Sequence, residues 1–436
     1  MRQNKQKNVY IGLAADSIHH GHMNLIENAR KYGNIIIGLI TDNVIAQYKR
    51  IPYLNYTQRE KILKNIKGVI KIIPQKEYCY SKNILKYTPD FMIHGDDWKY
   101  GHQKNLRKNA IKALKSYGGK LIEVPYTKGI SSEALGKIQS LGMATPFSRV
   151  GMLRRLLDIK KTTRFLEVHN PLSAIIGENV SLKKGNTNLS YDGFWSSSLT
   201  DSTSMGKPDT EYIDYSFRLN AINHIFDVTT KPLIFDGDTG GKKEHFEMKI
   251  KSIERLGISA LIIEDKAGLK KNSLHLNTSN QMQENAKYFA EKIFIGKRAK
   301  TNQDFMIIAR IESFILNKGI DDAIRRARIY VDAGADGIMI HSKSKNPNEV
   351  FNFAKKFKRD FNNIPLVCVP TTYNHVTEKQ LSDAGFNIVI YANHMLRASY
   401  PAMLKVAKDI LKNGRSKNSN KDLMSISEIL SLIPGT

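Results

Sequence analysis

The feature that most constrains this chain is a repeat of pattern rather than of residues. Beyond residue 150, eight short apolar runs recur: Phe165–His169, Gly193–Ser197, Pro232–Asp236, Ile258–Glu264, Phe305–Ile311, Gly337–His341, Leu366–Pro370 and Asn387–Ala392. Most are followed by a helical segment. Eight strand–helix units in roughly 270 residues is the size and count of a (β/α)8 barrel. A doubly wound sheet is the alternative, but it rarely closes every strand on a polar residue. Here the runs end on Asn170, Ser197, Asp236 with Asp238, Glu264 with Asp265, Arg310 with Glu312, His341, Thr371 and Asn393. Strand carboxyl ends share one face of a barrel, so parallel pairing would gather these groups in one pocket.

Asp236, Asp238, Glu264 and Glu312 are acidic, and left unneutralised they would repel one another. A hard cation such as Mg2+ satisfies such a set, held by one carboxylate directly and by the others through water. Pairing with Lys266, Lys270 and Arg310 is the other reading of the same residues. Arg310, His341 and Lys270 supply donors and positive charge for an anionic substrate. The segment from Lys266 to His275 is polar and contains glycine, as expected of a lid that closes over substrate.

The first 140 residues follow a different rhythm. Apolar runs at Val9–Ala14, Ile35–Thr41, Val69–Pro74, Phe91–His94 and Leu121–Val124 alternate with amphipathic segments such as Thr57–Ile66, Asn105–Tyr117 and Ser132–Ile138. That alternation predicts a parallel sheet covered on both faces, with ligands beyond the strand carboxyl ends. His19-His20-Gly21-His22 follows the first run and enters a helix ending near Tyr32. Gly21 admits close backbone approach, and the helix start offers N–H groups to an anion. Two imidazoles three residues apart can donate to phosphate oxygens as charge develops. A zinc site lacks a third and fourth ligand nearby, and a structural pair is the plainer alternative.

A length of 436 residues predicts two domains. We expect 1–140 and 151–436, joined by a small-residue linker at 141–150 and followed by a helix over Arg149–Leu157. No apolar run approaches the roughly 20 residues that span a bilayer. The N-terminal residues do not form a secretory signal, and the two cysteines, Cys79 and Cys368, suggest no disulfide framework. A cytoplasmic protein is expected. The net charge of +26 is spread along the chain, without a dense basic tract. It predicts a field that draws small polyanions, or simply a lysine-rich composition, rather than specific nucleic-acid binding. Leu423–Leu432 has an apolar helical face and is expected to dock onto a partner element.

Glu264-Asp265-Lys266-Ala267-Gly268-Leu269-Lys270-Lys271-Asn272-Ser273 matches, without mismatch, the signature E-D-K-x-G-x-K-x-N-S of the phosphoenolpyruvate mutases, in the isocitrate lyase/PEP mutase superfamily. Leu166–Asn170, Trp195–Leu199, Asp236–Gly240, Ala309–Glu312 and His341–Lys343 resemble the other mutase motifs, in order. The resemblance implies conversion of phosphoenolpyruvate to phosphonopyruvate, an uphill reaction in that family. Asp236 would bind Mg2+, with Asp238 and Glu264 in the water-mediated shell and Glu312 nearby. Trp195 would stack over the pyruvyl plane, and Ser197, Ser198 and Leu199 would grip substrate oxygens. Asn272, Arg310 and His341 would hold the migrating phosphoryl group, with Asp209 and Lys270 beside it. Isocitrate lyases carry K-K-C-G-H on this lid, which has no cysteine here. Phosphonopyruvate hydrolase, the nearer competitor, generally lacks the N-S pair. Pro171 and Ser198 depart from glycines in the pattern. The superfamily exchanges its last helix between subunits, implying a homodimer or homotetramer through the barrel.

His19-x-Gly21-His22, Gly95-Asp96-Asp97-Trp98 and Gly129-Ile130-Ser131-Ser132 resemble the nucleotidyltransferase superfamily, its cytidylyltransferases most of all. The resemblance implies a Rossmann-like domain binding CTP and Mg2+. His19 and His22 would act at the triphosphate, with contacts from Leu13, Ala14, Lys49, Asp96, Trp98, Thr127, Ser131 and Ser132. Arg59 stands where the pattern has an arginine. Tyr126 replaces the arginine of the R-T-x-G-I-S motif, removing one phosphate clamp that Lys128 cannot copy bidentately. Together the halves imply a bifunctional enzyme of phosphonate biosynthesis. Its first domain would transfer CMP to a phosphonate such as 2-aminoethylphosphonate, or serve as a non-catalytic nucleotide-binding module.

Overall fold

The computed structural model describes residues 7–48, 51–99, 103–125, 145–184, 187–274 and 281–433. The chain divides into two compact units.

The first contains β1 (Asn8–Leu13), α1 (His20–Arg30), β2 (Asn34–Ile40), α2 (Asp42–Ile45), α3 (Tyr56–Lys64), β3 (Val69–Gln75), α4 (Ser81–Tyr87), β4 (Phe91–Gly95), α5 (Lys104–Lys115) and β5 (Lys120–Val124). Its sheet runs β3-β2-β1-β4-β5, with every pair parallel. Successive residues of β1 face opposite cores. Val9, Ile11 and Leu13 meet Ile35, Ile37 and Leu39, whereas Tyr10 meets Ile36, Met92 and Trp98. A sheet buried on both faces explains why these strands read as continuous apolar runs. This is the Rossmann-like arrangement expected. Strand order reverses at β1, so the crevice between the ends of β1 and β4 is where such a sheet takes a ligand.

In chain order the elements that follow are α6 (Pro146–Ile159), β6 (Thr163–Glu167), α7 (Pro171–Asn179), the antiparallel hairpin β7 (Ser181–Lys184) and β8 (Thr187–Ser190), which groups with the first unit, then β9 (Gly193–Ser196), α8 (Ser198–Ser204), α9 (Tyr215–Phe226), β10 (Leu233–Asp236), α10 (Lys243–Leu256) and β11 (Ala260–Glu264). The chain continues through the short pair β12 (Lys266–Ala267) and β13 (Met282–Gln283), then α11 (Ala286–Ala299), β14 (Met306–Ile311), α12 (Gly319–Asp332), β15 (Gly337–Ile340), α13 (Asn348–Asp360), β16 (Leu366–Cys368), α14 (Glu378–Asp383), β17 (Ile388–Tyr391), α15 (His394–Asn413) and α16 (Ile426–Ser431). All eight expected runs are barrel strands. β6, β9, β10, β11, β14, β15, β16 and β17 pair in parallel, and β17 closes on β6.

Two boundaries differ from the sequence expectation. The linker placed at 141–150 ends sooner, because α6 begins at Pro146 and already buries Arg149, Val150 and Gly151. Proline suits a first helical position, where its missing N–H has no partner to lose. The terminal helix is shorter than Leu423–Leu432, and within this chain its apolar residues stay exposed, Ile426 at 75%. None of the 20 residues of α15 is buried either. No helix among the described residues is long and apolar enough to cross a membrane.

Candidate active site

Barrel parity decides which side chains meet at the mouth. Successive strand residues alternate between the barrel interior and the layer under the helices. Ile234, Ala260, Ile262, Met306, Ile308 and Met339 fill the interior with Trp195, whereas Phe235, Leu261, Ile263, Ile307 and Ile338 face outward. Counting on by two, Asp236, Glu264, Arg310, Glu312 and His341 fall on the interior face at the carboxyl ends. All five are buried, and Trp195 lies one layer below.

These groups form two linked ion clusters. In the first, Arg310 donates through Nε to Glu312 Oε1 at 2.5 Å and lies 3.1 Å from Glu264 Oε2. Its Nη2 donates to Ser273 Oγ at 2.7 Å and meets His341 Nδ1 at 2.8 Å. Lys266 is 3.3 Å from both Glu264 and Glu312. Ser273 Oγ accepts from Lys266 at 2.5 Å and donates to Glu312 at 2.6 Å. Burial opposes the Arg310 charge, but Glu312, Glu264 and Asp236 overcome it and raise the guanidinium pKa. Burial likewise would raise the Glu312 carboxyl, yet Arg310 and Lys266 hold it well below the usual range.

The second cluster surrounds Lys270. Its ammonium donates to Asp209 and Ser198 Oγ, each at 2.7 Å, and to Asp238. Asn272 donates to the other Asp209 oxygen at 2.7 Å. Ser198 donates to Asp236 Oδ2 from its hydroxyl at 2.9 Å and its backbone N–H at 3.1 Å. Lys270, Asn272 and Ser273 all belong to the segment read as a lid. That segment leaves the barrel on β12, turns at Gly268 with φ +76°, and returns on β13. Glycine is required there, because φ is positive.

The cations read as alternative partners for the acids are indeed paired with them. Glu312, expected among the metal ligands, has both carboxylate oxygens engaged by Arg310, Lys266 and Ser273. Asp236 and Glu264 retain features that suit a hard cation, whereas Asp238 pairs with Lys270 and Arg218. Among the described residues Asp236 makes no ion pair, and burial, which would raise its carboxyl, is outweighed by Lys270, Arg310 and Arg218, which hold it low. Among the described residues neither Glu264 carboxylate oxygen has a hydrogen-bond partner, although Lys266 and Arg310 pair with them at 3.3 and 3.1 Å, which leaves both able to accept from a water. No three His, Cys, Asp or Glu groups among the described residues are placed to hold an ion between them. One direct carboxylate with the rest through water is the arrangement Mg2+ favours.

The remaining expected contacts divide. Ser197 is buried at the start of α8, and Leu199 is half-buried beside it. Trp195 is 1% exposed and its indole N–H has no hydrogen-bond partner. Two residues, Arg218 and Asp201, are not marked by any motif in the sequence. Arg218 lies on the buried stripe of α9 with Ile222 and Ile225, a charge where the helical period calls for an apolar residue. Asp201 pairs with it, and Asp265, one residue beyond Glu264, accepts from Glu312 N at 2.9 Å, Tyr330 at 2.7 Å and Arg326 at 3.1 Å.

In the first unit, His19 and His22 meet at the start of α1 with ring centroids 3.9 Å apart. Burial, followed by repulsion from His20, lowers the His19 pKa. Asp96 is half-buried, 4.0 Å from Lys99, just beyond β4. Trp98 is a correction. It is fully buried, stacked on His94 at 3.8 Å, and donates to Glu123, so its indole serves the core rather than a nucleotide. Leu13 is also a core residue, and Ala14 uses its carbonyl to accept from Arg59. Arg59, fully buried, pairs with Asp42 at 2.5 Å and pins this loop. Lys49, Thr127, Ser131 and Ser132 lie outside the described residues.

A parallel eight-stranded barrel with acids, arginine and histidine at its carboxyl rim and a lysine-bearing lid defines an enzyme of the PEP mutase/isocitrate lyase superfamily. Residues 153–411 match the family described as phosphoenolpyruvate phosphomutase, and the chain belongs to that family. Residues 11–135 match the cytidylyltransferase-like family, so the N-terminal domain is cytidylyltransferase-like. The phosphoenolpyruvate phosphomutase of Tetrahymena pyriformis is 34% identical over 281 residues, which are 64% of this chain and 89% of that protein. The crystal structure of phosphoenolpyruvate phosphomutase from Streptomyces platensis subsp. rosaceus is similar with a TM-score of 0.60 and 34% identity, covering 65% of this chain and 94% of that one. A phosphonopyruvate hydrolase solved with oxalate and Mg2+ gives a TM-score of 0.58 and 32% identity, over 66% of this chain and 94% of that one.

Proposed function

We propose that the barrel isomerises phosphoenolpyruvate to phosphonopyruvate and that the N-terminal domain transfers CMP from CTP to a phosphonate, releasing pyrophosphate. One observation carries the first half: the lid's Lys270, Asn272 and Ser273 are bonded directly into the barrel rim. A lid joined to the charged groups can exclude water while a phosphoryl group is between partners.

In the reaction the bridging P–O bond breaks and the enol oxygen becomes a ketone. The electron pair that this leaves at the methylene carbon forms the new P–C bond. Loose phosphoryl transfer asks mainly for positioning and charge stabilisation. Arg310, with His341 Nδ1 as its acceptor, would face the phosphoryl oxygens, and Asn272 would hold them from the lid. Trp195 would floor the pyruvyl plane, and the Ser197–Leu199 helix start would take its carboxylate oxygens. Asp236 would hold Mg2+ directly, with Asp238 and Glu264 through water. When bound, the ion neutralises charge on the carboxylate and enol oxygens. The Mg2+ and oxalate held by the related hydrolase support this reading.

For the N-terminal domain the support is the position of His19 and His22, at the start of α1 beside the strand-order reversal. Pyrophosphate release, followed over a panel of phosphonates and phosphate esters with CTP and ATP, tests it. Release with CTP and 2-aminoethylphosphonate is expected, and nucleotide binding without release would mark a non-catalytic module. The exposed apolar residues of α15 and α16 support a homodimer or homotetramer formed through the barrel unit.

A further inference from the structure

Behind the rim, one buried guanidinium reaches two parts of the loop that carries Asp236 and Asp238. Arg218 is 2% exposed. Its Nη1 donates to the Asp236 carbonyl at 2.6 Å and to Asp238 Oδ2 at 3.1 Å. Its Nε donates to Asp201 Oδ2 at 2.9 Å, and its plane lies 4.3 Å over the Phe235 ring. Asp201 is itself fixed by Ser196 Oγ at 2.8 Å. One turn earlier on α9, the Tyr215 hydroxyl donates to the Gly237 carbonyl. A single helix face therefore fixes two successive carbonyls and one carboxylate of this loop.

The loop needs fixing. Asp238 has φ +52°, a left-handed conformation that a non-glycine residue keeps only where its surroundings enforce it. A Cβ on Gly237 would come within 2.4 Å of Leu261 and 2.8 Å of the Tyr215 hydroxyl, so the loop is held from both sides. Stability alone does not explain an arginine here. A buried ion pair is often no more stabilising than apolar residues of the same volume.

We infer that Arg218, held by Asp201, is a positioning residue that sets the aim of the Asp236 and Asp238 carboxylates. It acts through the loop and does not touch substrate. The consequence for cation binding rests on the reading of Asp236 as the ligand of Mg2+.

The test uses full-length protein without substrate and Mn2+ as an electron-paramagnetic probe. Arg218→Met combined with Asp201→Asn removes both charges at little cost in volume and keeps a partner for Ser196. It should raise the Mn2+ dissociation constant by about 10–100-fold, the range of outer-shell changes around metal ligands. Arg218→Lys, which keeps the charge but loses the fork, should fall between. Asp201→Asn alone leaves both contacts of Arg218 with the loop and should weaken binding by less than about tenfold. Hydrogen exchange of residues 236–241 should quicken in both Arg218 variants while the other barrel strands stay protected. Unchanged exchange and unchanged Mn2+ affinity in the Arg218 variants would overturn the inference, as would an equal loss in Asp201→Asn. Wild-type protein that binds no Mn2+ would refute the cation reading alone, and the exchange measurement would still decide the positioning role.

Discussion

At the scale of single residues, the account rests on how charge is shared at the rim. Asp236→Asn removes the carboxylate that makes no ion pair among the described residues, and we expect kcat/KM to fall by about a thousandfold or more with the barrel intact by circular dichroism. His341 gives a pH prediction. Burial disfavours its cation, Arg310 adds repulsion, and Glu312 opposes them incompletely, so its pKa lies below the ordinary value. The unfolded chain then takes up a proton near pH 6.5 that the folded chain refuses. This group's contribution to stability is present above that pH and is lost as pH falls through the window below it. Activity should show an acid limb in the same window, absent from the residual activity of His341→Asn. Strand-end residues were legible because parity and a closing polar residue mark them in the sequence. The engagement of Glu312 by Ser273 and Lys266 is not legible in the sequence, because those residues lie about forty positions away. Arg218 was overlooked because nothing in the sequence shows that α9 buries that stripe against the Asp236 loop.

At the scale of elements, the segment from Lys266 to Ser273 and the start of α1 each bring candidate site residues together. The lid stem is anchored through Asp265, which receives Gln283 Nε2 at 3.0 Å and the Glu284 N–H at 2.9 Å. Its tip is tied by Ser273, whose hydroxyl joins Arg310, Lys266 and Glu312. Ser273→Ala leaves three buried charged groups each short of one hydrogen bond, a loss of at least about 1.5–3 kcal/mol, or roughly 10–100-fold or more in rate. A looser lid also admits water, so the ratio of pyruvate and phosphate to phosphonopyruvate should rise in product analysis. An unchanged ratio would separate the lid from water exclusion. In the first unit, His19→Ala with His22→Ala should lower pyrophosphate release by at least about a hundredfold without altering product formation in the barrel. The eight strands were readable because burial on both faces makes continuous apolar runs. The start of α6 was placed late because Pro146 reads as a break, although the first helical turn accommodates it.

At the scale of the whole chain, two activities on one polypeptide should be separable by substitution. α15 and α16 carry exposed apolar residues, among them Leu411 at 86% and Tyr400 at 67%. Truncation after Asn413, which removes α16 and keeps α15, should reduce the oligomer seen by light scattering, and an unchanged mass would remove α16 from the interface. The central claim concerns what the barrel does with phosphorus. Phosphorus-31 NMR of the purified protein with phosphoenolpyruvate and Mg2+, coupled to a phosphonopyruvate decarboxylase to draw the uphill product forward, addresses it most directly. The account predicts loss of the phosphate-ester signal and growth of a carbon-bound phosphonate signal that Asp236→Asn abolishes. Inorganic phosphate accumulating with pyruvate, and no phosphonate, would contradict it.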